Sequence, residues 1–248
     1  MLRSIYSILL LIVVIGCKDK PTANQKADKQ LREVIKANTT INIDGIANEE
    51  VWQKAQAYPI DQLWLGAPYD ANDFEGSYKL CWTDNALYAL VTIKDDSLYN
   101  PYKEPLTRYW DDDCVEIFVD EDNSGGIHQF NHNAFAYHID LEGEVVDIIA
   151  ENTPKLFNDH VQSKRVTKGN TSVWEFKISL FEESYQYGQD YKPVTLNSNK
   201  KIGFAIAYCD NDTSEQRENF IGSIPVEGDD KNRGWIDASI FGTIKLIN

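Results

Sequence analysis

The 248-residue sequence predicts an all-β fold, an antiparallel β-sandwich of jelly-roll type with one short helix near its start. Three observations predict it. Apolar residues alternate with polar ones over many short runs, the period-two signature of strands with unlike faces. Clusters of Gly, Asn and Asp punctuate those runs at short intervals. Helical periodicity is confined to one segment, so there is no strand–helix–strand alternation from which to build a parallel sheet.

Residues 1–16 stand apart from the fold. Arg3 opens them, and Ile8 to Ile15 form an apolar core too short for a stable transmembrane helix. The run ends in Val14-Ile15-Gly16-Cys17, which resembles a bacterial lipobox. That resemblance implies a lipoprotein signal peptide, cleavage before Cys17 and acylation of its thiol. The chain would then be exported and lipid-anchored to the bacterial membrane, at the outer membrane or cell surface. Residues 17–30 are polar and read as a flexible tether, leaving residues 31–248 as one domain.

Within that domain Val34-Ile35 and Ile41-Asn42-Ile43 suggest an opening strand or two, ended by Asp44-Gly45. Asn48-Glu49-Glu50-Val51-Trp52-Gln53-Lys54-Ala55 carries a capping Asn, first-turn acids and a Trp to bury, and so predicts the helix. Trp64 falls in a loop, packed beneath it. Tyr78–Trp82 and Leu87–Ile93 are strands joined by a turn at Asp84-Asn85. Cys114 to Asp120 alternates, with Val115, Ile117 and Val119 on one face and Cys114, Glu116 and Phe118 on the other. His128 to Asp140 reads as one long strand, with Gln129, Asn131 and Asn133 forming an amide ladder and His128, His132 and His138 on the opposite face. Strands follow over 144–149, 171–180 (with Trp174 in the core), 201–209 and 242–247.

Charge narrows the function. The formal net charge is −15, moving to −16 if residues 1–16 are removed, since they hold Arg3 and no acid. Such a chain is not steered to nucleic acid or an anionic membrane face. Besides Cys17 there are Cys81, Cys114 and Cys209, without CxxC or zinc spacing, which read as small core residues with one disulfide possible. His128 and His132 would stand about 13 Å apart on a strand, so they cannot share a metal ion. The turn Glu121-Asp122-Asn123-Ser124-Gly125-Gly126 is rich in oxygen ligands but departs from the EF-hand pattern; it is an ordinary acidic turn or a Ca²⁺ site. Asp113 points to the valine face, where it accepts backbone N–H groups or meets a ligand. Glu116, a carboxylate beside Trp110 on an apolar strand, reads as a ligand contact.

Ile43-Asp44-Gly45, Glu50-Val51-Trp52, Leu87-Tyr88, Trp110 to Asp120, and Trp235 with Phe241-Gly242-Thr243-Ile244-Lys245-Leu246 occur in that order. Together they resemble the family 9 carbohydrate-binding modules over residues 31–248. The resemblance implies a non-catalytic β-sandwich that grips the end of an oligosaccharide or polysaccharide between two tryptophans. It also implies structural Ca²⁺ in many members and a glycoside hydrolase as a possible partner. By motif position Trp110 and Trp235 match the two clamp tryptophans, Glu116 the carboxylate that accepts sugar hydroxyls, and Asn232 a polar neighbour. The amides Gln129, Asn131 and Asn133 would supply further hydroxyl contacts. Two positions depart from the family: Asn131 stands where an arginine is usual, and Ala207 where a glutamine is.

Three other readings compete. A glycosidase would pair Glu116 with a second carboxylate, such as Asp112. A bis-His haem domain would need two of His128, His132, His138 and His160. An assembly module would bury Trp110 and Trp235 in a protein interface. No nucleophile elbow, HExxH or phosphate loop is present.

Overall fold

A computed structural model describes residues 31–248. The segments read from the sequence as a signal peptide (1–16) and a tether (17–30), with Cys17, lie outside the described residues. Fourteen strands occur among those described: β1 (Leu31–Lys36), β2 (Ala57–Ile60), β3 (Gln62–Leu65), β4 (Phe74–Thr83), β5 (Ala86–Asp95), β6 (Cys114–Asp120), β7 (Phe135–Asp140), β8 (Val145–Ile149), β9 (Thr153–Leu156), β10 (Val161–Lys168), β11 (Thr171–Ile178), β12 (Lys201–Asp210), β13 (Asn219–Gly222) and β14 (Gly242–Ile247). One helix, α1 (Glu50–Lys54), and a 3-10 turn (Ala238–Ile240) complete them.

The strands form one continuous curled sheet in the order β10-β11-β5-β4-β1-β14-β12-β6-β7-β8-β9, with β13 joining β12 to β3, and β2 on β4. It is not purely antiparallel. β1 runs parallel to both β14 and β4, linking the two halves of the sandwich through the first and last strands of the domain.

Alternation sorts the strands into two buried layers. Val115, Ile117 and Val119 of β6 enter the main core with Leu87, Val91 and Ile93 of β5, Trp174 and Phe176 of β11, and Phe204 and Ile206 of β12. The other faces of β6 and β12 bury Cys114, Phe118, Ala205, Ala207 and Cys209 in a second cluster, roofed by Trp64 and Phe220. Trp64 therefore belongs to β3 rather than to a loop, and its Nε1 donates to the Ile224 carbonyl at 2.9 Å. Gly222 is required beneath it, because a Cβ there would stand 2.1 Å from the Trp64 ring.

The long strand expected from His128 begins only at Phe135. Phe130 adopts φ 63°, the left-handed region, which breaks the extended backbone. The Asn131 N–H turns back to the His128 carbonyl, and Asn131 Oδ1 accepts the Asn133 N–H at 2.8 Å. Local side-chain bonds of this kind compete with strand pairing, so the polar alternation does not make a ladder. Nor do the three histidines share a face: His128 bonds the Gly234 carbonyl, His132 stacks on Phe135, and His138 turns to Glu116. Ile41–Ile43 form no strand, Ile41 being buried over α1 instead. Glu49 rather than Asn48 occupies the N-cap position of α1, and its side chain makes no capping bond there. Cys81, Cys114 and Cys209 are free and buried.

The Ile43-Asp44-Gly45 segment is fixed by one buried carboxylate. Glu175 Oε2 accepts the N–H groups of Asp44 (3.0 Å) and Gly45 (2.9 Å), while Oε1 accepts Trp52 Nε1 (3.1 Å). Glu175→Ala leaves three donors without their acceptor and should destabilise the fold by about 3 kcal/mol. Urea unfolding checks this, and a loss well under about 1 kcal/mol would show that Glu175 is not the tie.

Candidate functional site

The site lies on the outer face of β6 and β7, away from the main core. A cavity of about 460 Å³ opens there. Tyr109 and Trp110 from the loop before β6 form one wall, and Asn232 and Trp235 form another. Ile148, Asn152 and Pro154 of the β8–β9 hairpin and Leu106 close the sides, with Glu116, His138 and Arg217 also lining the space.

Strand register assembles the charged group. His138 on β7 lies opposite Glu116, and its Nε2 approaches Glu116 Oε1 at 2.8 Å. Ala207 on β12 lies opposite Glu116 on the other side. Arg217, from the loop between β12 and β13, donates from Nη1 to the same Oε1 at 3.1 Å, and the Cys209 thiol also approaches it at 3.1 Å. Burial opposes ionisation of Glu116, but the charges and hydrogen bonds of His138 and Arg217 outweigh it and hold the carboxyl below its ordinary value. The Arg217 guanidinium also stacks on Phe220, 4.1 Å from the ring centroid.

Trp110 is 41 % exposed. Its ring meets Tyr109 edge-on at 4.9 Å, and Tyr109 in turn meets His138 at 4.9 Å. Trp235 is half-buried, 6.3 Å from Phe130.

Four of the residues singled out from the sequence, Trp110, Glu116, Asn232 and Trp235, thus line one cavity. Asn131 lines a smaller recess that shares His138, Ile148 and Trp235 with it. Asn133 is used structurally, donating from Nδ2 to the Gly125 carbonyl at 2.8 Å. Gln129 is half-buried in the turn outside both sets of lining residues. Arg217 and Tyr109 escaped the sequence reading, and His138 entered it only as a candidate haem ligand and not as a partner of Glu116. Only His138 had a usable signal, a histidine on a strand able to pair with Glu116.

Asp113 accepts backbone N–H groups, as one of its two readings held: Tyr99 N at 2.6 Å and Asn211 N at 2.8 Å. It also meets Asp95 and Asp210, with carboxylate oxygens all within 4.8 Å of one another and all three residues buried. Burial and then the neighbouring Asp95 push Asp113 up to about 9 and Asp210 up to about 8. Three hard oxygen donors at the ends of β5 and β12 and the start of β6 fit a Ca²⁺ ion. Asp73, Asp96 and Asp212 form a second, more open triad. In the turn after β6, Glu121 is paired with Lys200, and Asp122 Oδ1 accepts the Ser124 N–H.

Fold and site together define a β-sandwich module with an aromatic-walled site on the outer face of one sheet. The sequence matches the family described as carbohydrate family 9 binding domain-like over residues 43–248, and the chain belongs to that family. A family 9 carbohydrate-binding module from Caldicellulosiruptor kristjanssonii, solved in complex with cellotriose, is similar in fold, with a TM-score of 0.63 and 21 % identity over 88 % of this chain and 94 % of that one. Its complex with glucose gives a TM-score of 0.61 at 21 % identity, covering 87 % and 95 %. Endo-1,4-beta-xylanase A of Thermotoga maritima is 27 % identical over 201 residues, and that of Thermotoga neapolitana 23 % over 203. The match takes in 80 % of this chain and 16 % of each xylanase.

Arg217→Ala strands a buried carboxylate and should cost about 3 kcal/mol at pH 7. Because the folded pKa of Glu116 is depressed, the stability it contributes is present above its ordinary value of 4.5 and is lost as pH falls below it. The gap between wild type and variant should therefore narrow below about pH 4, as read from urea midpoints across pH. A gap that does not change with pH would detach Arg217 from Glu116.

Proposed function

We propose that this protein is a non-catalytic carbohydrate-binding protein that holds the end of a glycan between Trp110 and Trp235. The observation that carries this reading is that both tryptophans, Glu116 and Asn232 line one cavity. A pyranose presents apolar C–H faces, which suit the indole rings, and hydroxyl groups, which suit a carboxylate, a guanidinium and an amide. Arg217 is the charged donor, from a different loop than the one where Asn131 replaces the family's arginine. The neighbouring structures bound to cellotriose and glucose support a glucose-type end as ligand.

Non-catalytic binding is favoured over glycoside hydrolysis because Glu116 is the single carboxylic acid among the residues lining the cavity. Hydrolysis requires a second carboxyl group across the bond to be cleaved. The matched xylanases are about six times as long as the matching region, which suits a module acting in support of a glycoside hydrolase. In this reading the protein is exported, acylated at Cys17 and lipid-anchored, with residues 17–30 as its tether, and serves polysaccharide capture or breakdown at the cell envelope.

Fluorescence titration with cello- and xylo-oligosaccharides tests the reading. Trp110→Ala and Trp235→Ala should each weaken binding at least tenfold while circular dichroism stays unchanged. Absence of saturable binding by the folded wild type to any glycan tried would move the weight to a protein partner.

Ca²⁺ is the structural cofactor in this proposal, held by Asp95, Asp113 and Asp210. Both Asp113 and Asp210 have raised pKa values in the fold. Without a cation the folded chain keeps protons that the unfolded chain releases, so stability is lost as pH rises from about 4 toward 8 or 9. Ca²⁺ added after chelation should raise Tm by several degrees at pH 8 and by much less at pH 5. Asp210→Asn should remove the increment. A Ca²⁺ effect equal at both pH values, or retained by the variant, would place the ion elsewhere.

A further inference from the structure

We infer that Cys114 and Cys209 are a disulfide-forming pair beneath the candidate site. They lie directly opposite each other in the antiparallel pairing of β6 and β12. Both belong to the second buried cluster, on the outer face of the sheet with Glu116. Their sulfur atoms and a Glu116 oxygen all fall within 4.8 Å of one another. Facing residues in an antiparallel pair have Cα atoms about 4.5–5.5 Å apart. That interval lies inside the range a disulfide spans, so closure needs a change of side-chain rotamer and not of backbone. Cys81 sits in a different cluster with Trp52 and Ala86, so among the described residues it is the thiol left over.

The same atoms suggest a soft-metal site, but the surroundings oppose one. Arg217 Nη1 lies 3.0 Å from Cys209 Sγ and 3.1 Å from Glu116 Oε1, placing a positive charge where the ion would go. Burial raises both thiols above their ordinary value, so neither is held as the thiolate that a metal requires. A disulfide carries no charge and leaves the Glu116–Arg217–His138 group in place.

The oxidant is a low-molecular-weight disulfide. One cysteine thiolate attacks it and expels a thiolate, giving a mixed disulfide. The second cysteine thiolate then attacks the protein sulfur of that mixed disulfide and expels the other half. Two protein thiols become one S–S bond, and the oxidant is reduced to two thiols. Because both cysteines are fully buried in the folded chain, closure occurs during folding, before β12 seals against β6.

The full chain, reduced and unfolded in urea, is refolded with reduced and oxidised glutathione, alkylated and digested with trypsin. Cleavage places Cys81 in peptide 80–94, Cys114 in 109–155 and Cys209 in 202–217. The expected product is 109–155 joined to 202–217, with 80–94 carrying the alkyl label. The urea midpoint of that sample should exceed that of the same protein refolded under reductant. Separate alkylation of Cys114 and Cys209, a bond from either to Cys81 or Cys17, or zinc retained with both thiols free would each overturn the inference. The peptide map needs no glycan, so its failure is separate from failure of the binding reading.

Discussion

A carboxylate that is only 2 % exposed on the outer side of a strand is the constraint around which this site is built. Glu116 cannot be buried there as an ion unless charge and donors come to it. Each donor comes from a neighbour fixed by the sheet. β7 supplies His138 by register, β12 supplies Cys209, and the loop after β12 returns Arg217 over the same face. Ala207, opposite Glu116, projects only a methyl group, so the guanidinium meets no large side chain from that position. Arg217 thus brings a charged donor to the carboxylate from the β12–β13 connection, over the small side chain of Ala207.

The same outer face solves a second problem. A sheet strand that is apolar on both sides, like β12, needs a cover on each. The main core covers one. Trp64, Phe220 and the segment around Trp235 and Phe241 cover the other, and the small residues Ala205, Ala207 and Gly222 let that cover lie close. The cavity opens beside this cover, where Trp235 is packed on one side and exposed on the other.

Much of this was legible in the sequence because period-two alternation reports which way a strand residue points. It sent Val115, Ile117 and Val119 inward and Glu116 outward, and it placed Trp174 in the core. Motif order then brought Trp110 and Trp235 to one site despite their distance in sequence. Alternation misled where the backbone was not extended. Between His128 and Ala134 the Asn131 side chain bonds its own turn, His128 and Asn133 bond carbonyls elsewhere, and Phe130 breaks the extended backbone. Arg217 was not legible as a site residue: it is the one basic residue in the polar stretch 211–218, but nothing local says that the loop folds it back over Glu116. The same holds for Asp95, Asp113 and Asp210, which meet only because three strand ends converge. The parallel placement of β1 carried no local signature either, because it depends on where the last strand lies.

The acids next to Trp110 explain how an exposed ring can be held ready. Arg108 adopts φ 53°, a conformation unfavourable by about 1 kcal/mol for a residue with a side chain. Asp111 Oδ2 accepts its Nε at 2.9 Å, Asp111 Oδ1 accepts the Arg217 N–H at 3.2 Å, and Asp113 takes the N–H groups of Tyr99 and Asn211. Arg108 Nη1 also donates to Glu215 Oε1 at 3.1 Å, so the loop is tied to the β12–β13 connection on both sides of Trp110. A ring presented on a fixed backbone gives up little freedom when it meets a ligand, so more of the stacking energy remains as affinity. Asp111 and Asp113, the latter read from the sequence as a possible acceptor of backbone N–H groups, hold the backbone that presents the tryptophan. They also bind the position of Trp110 to Arg217, so the aromatic wall and the charged floor of the cavity are set by one hydrogen-bonded frame.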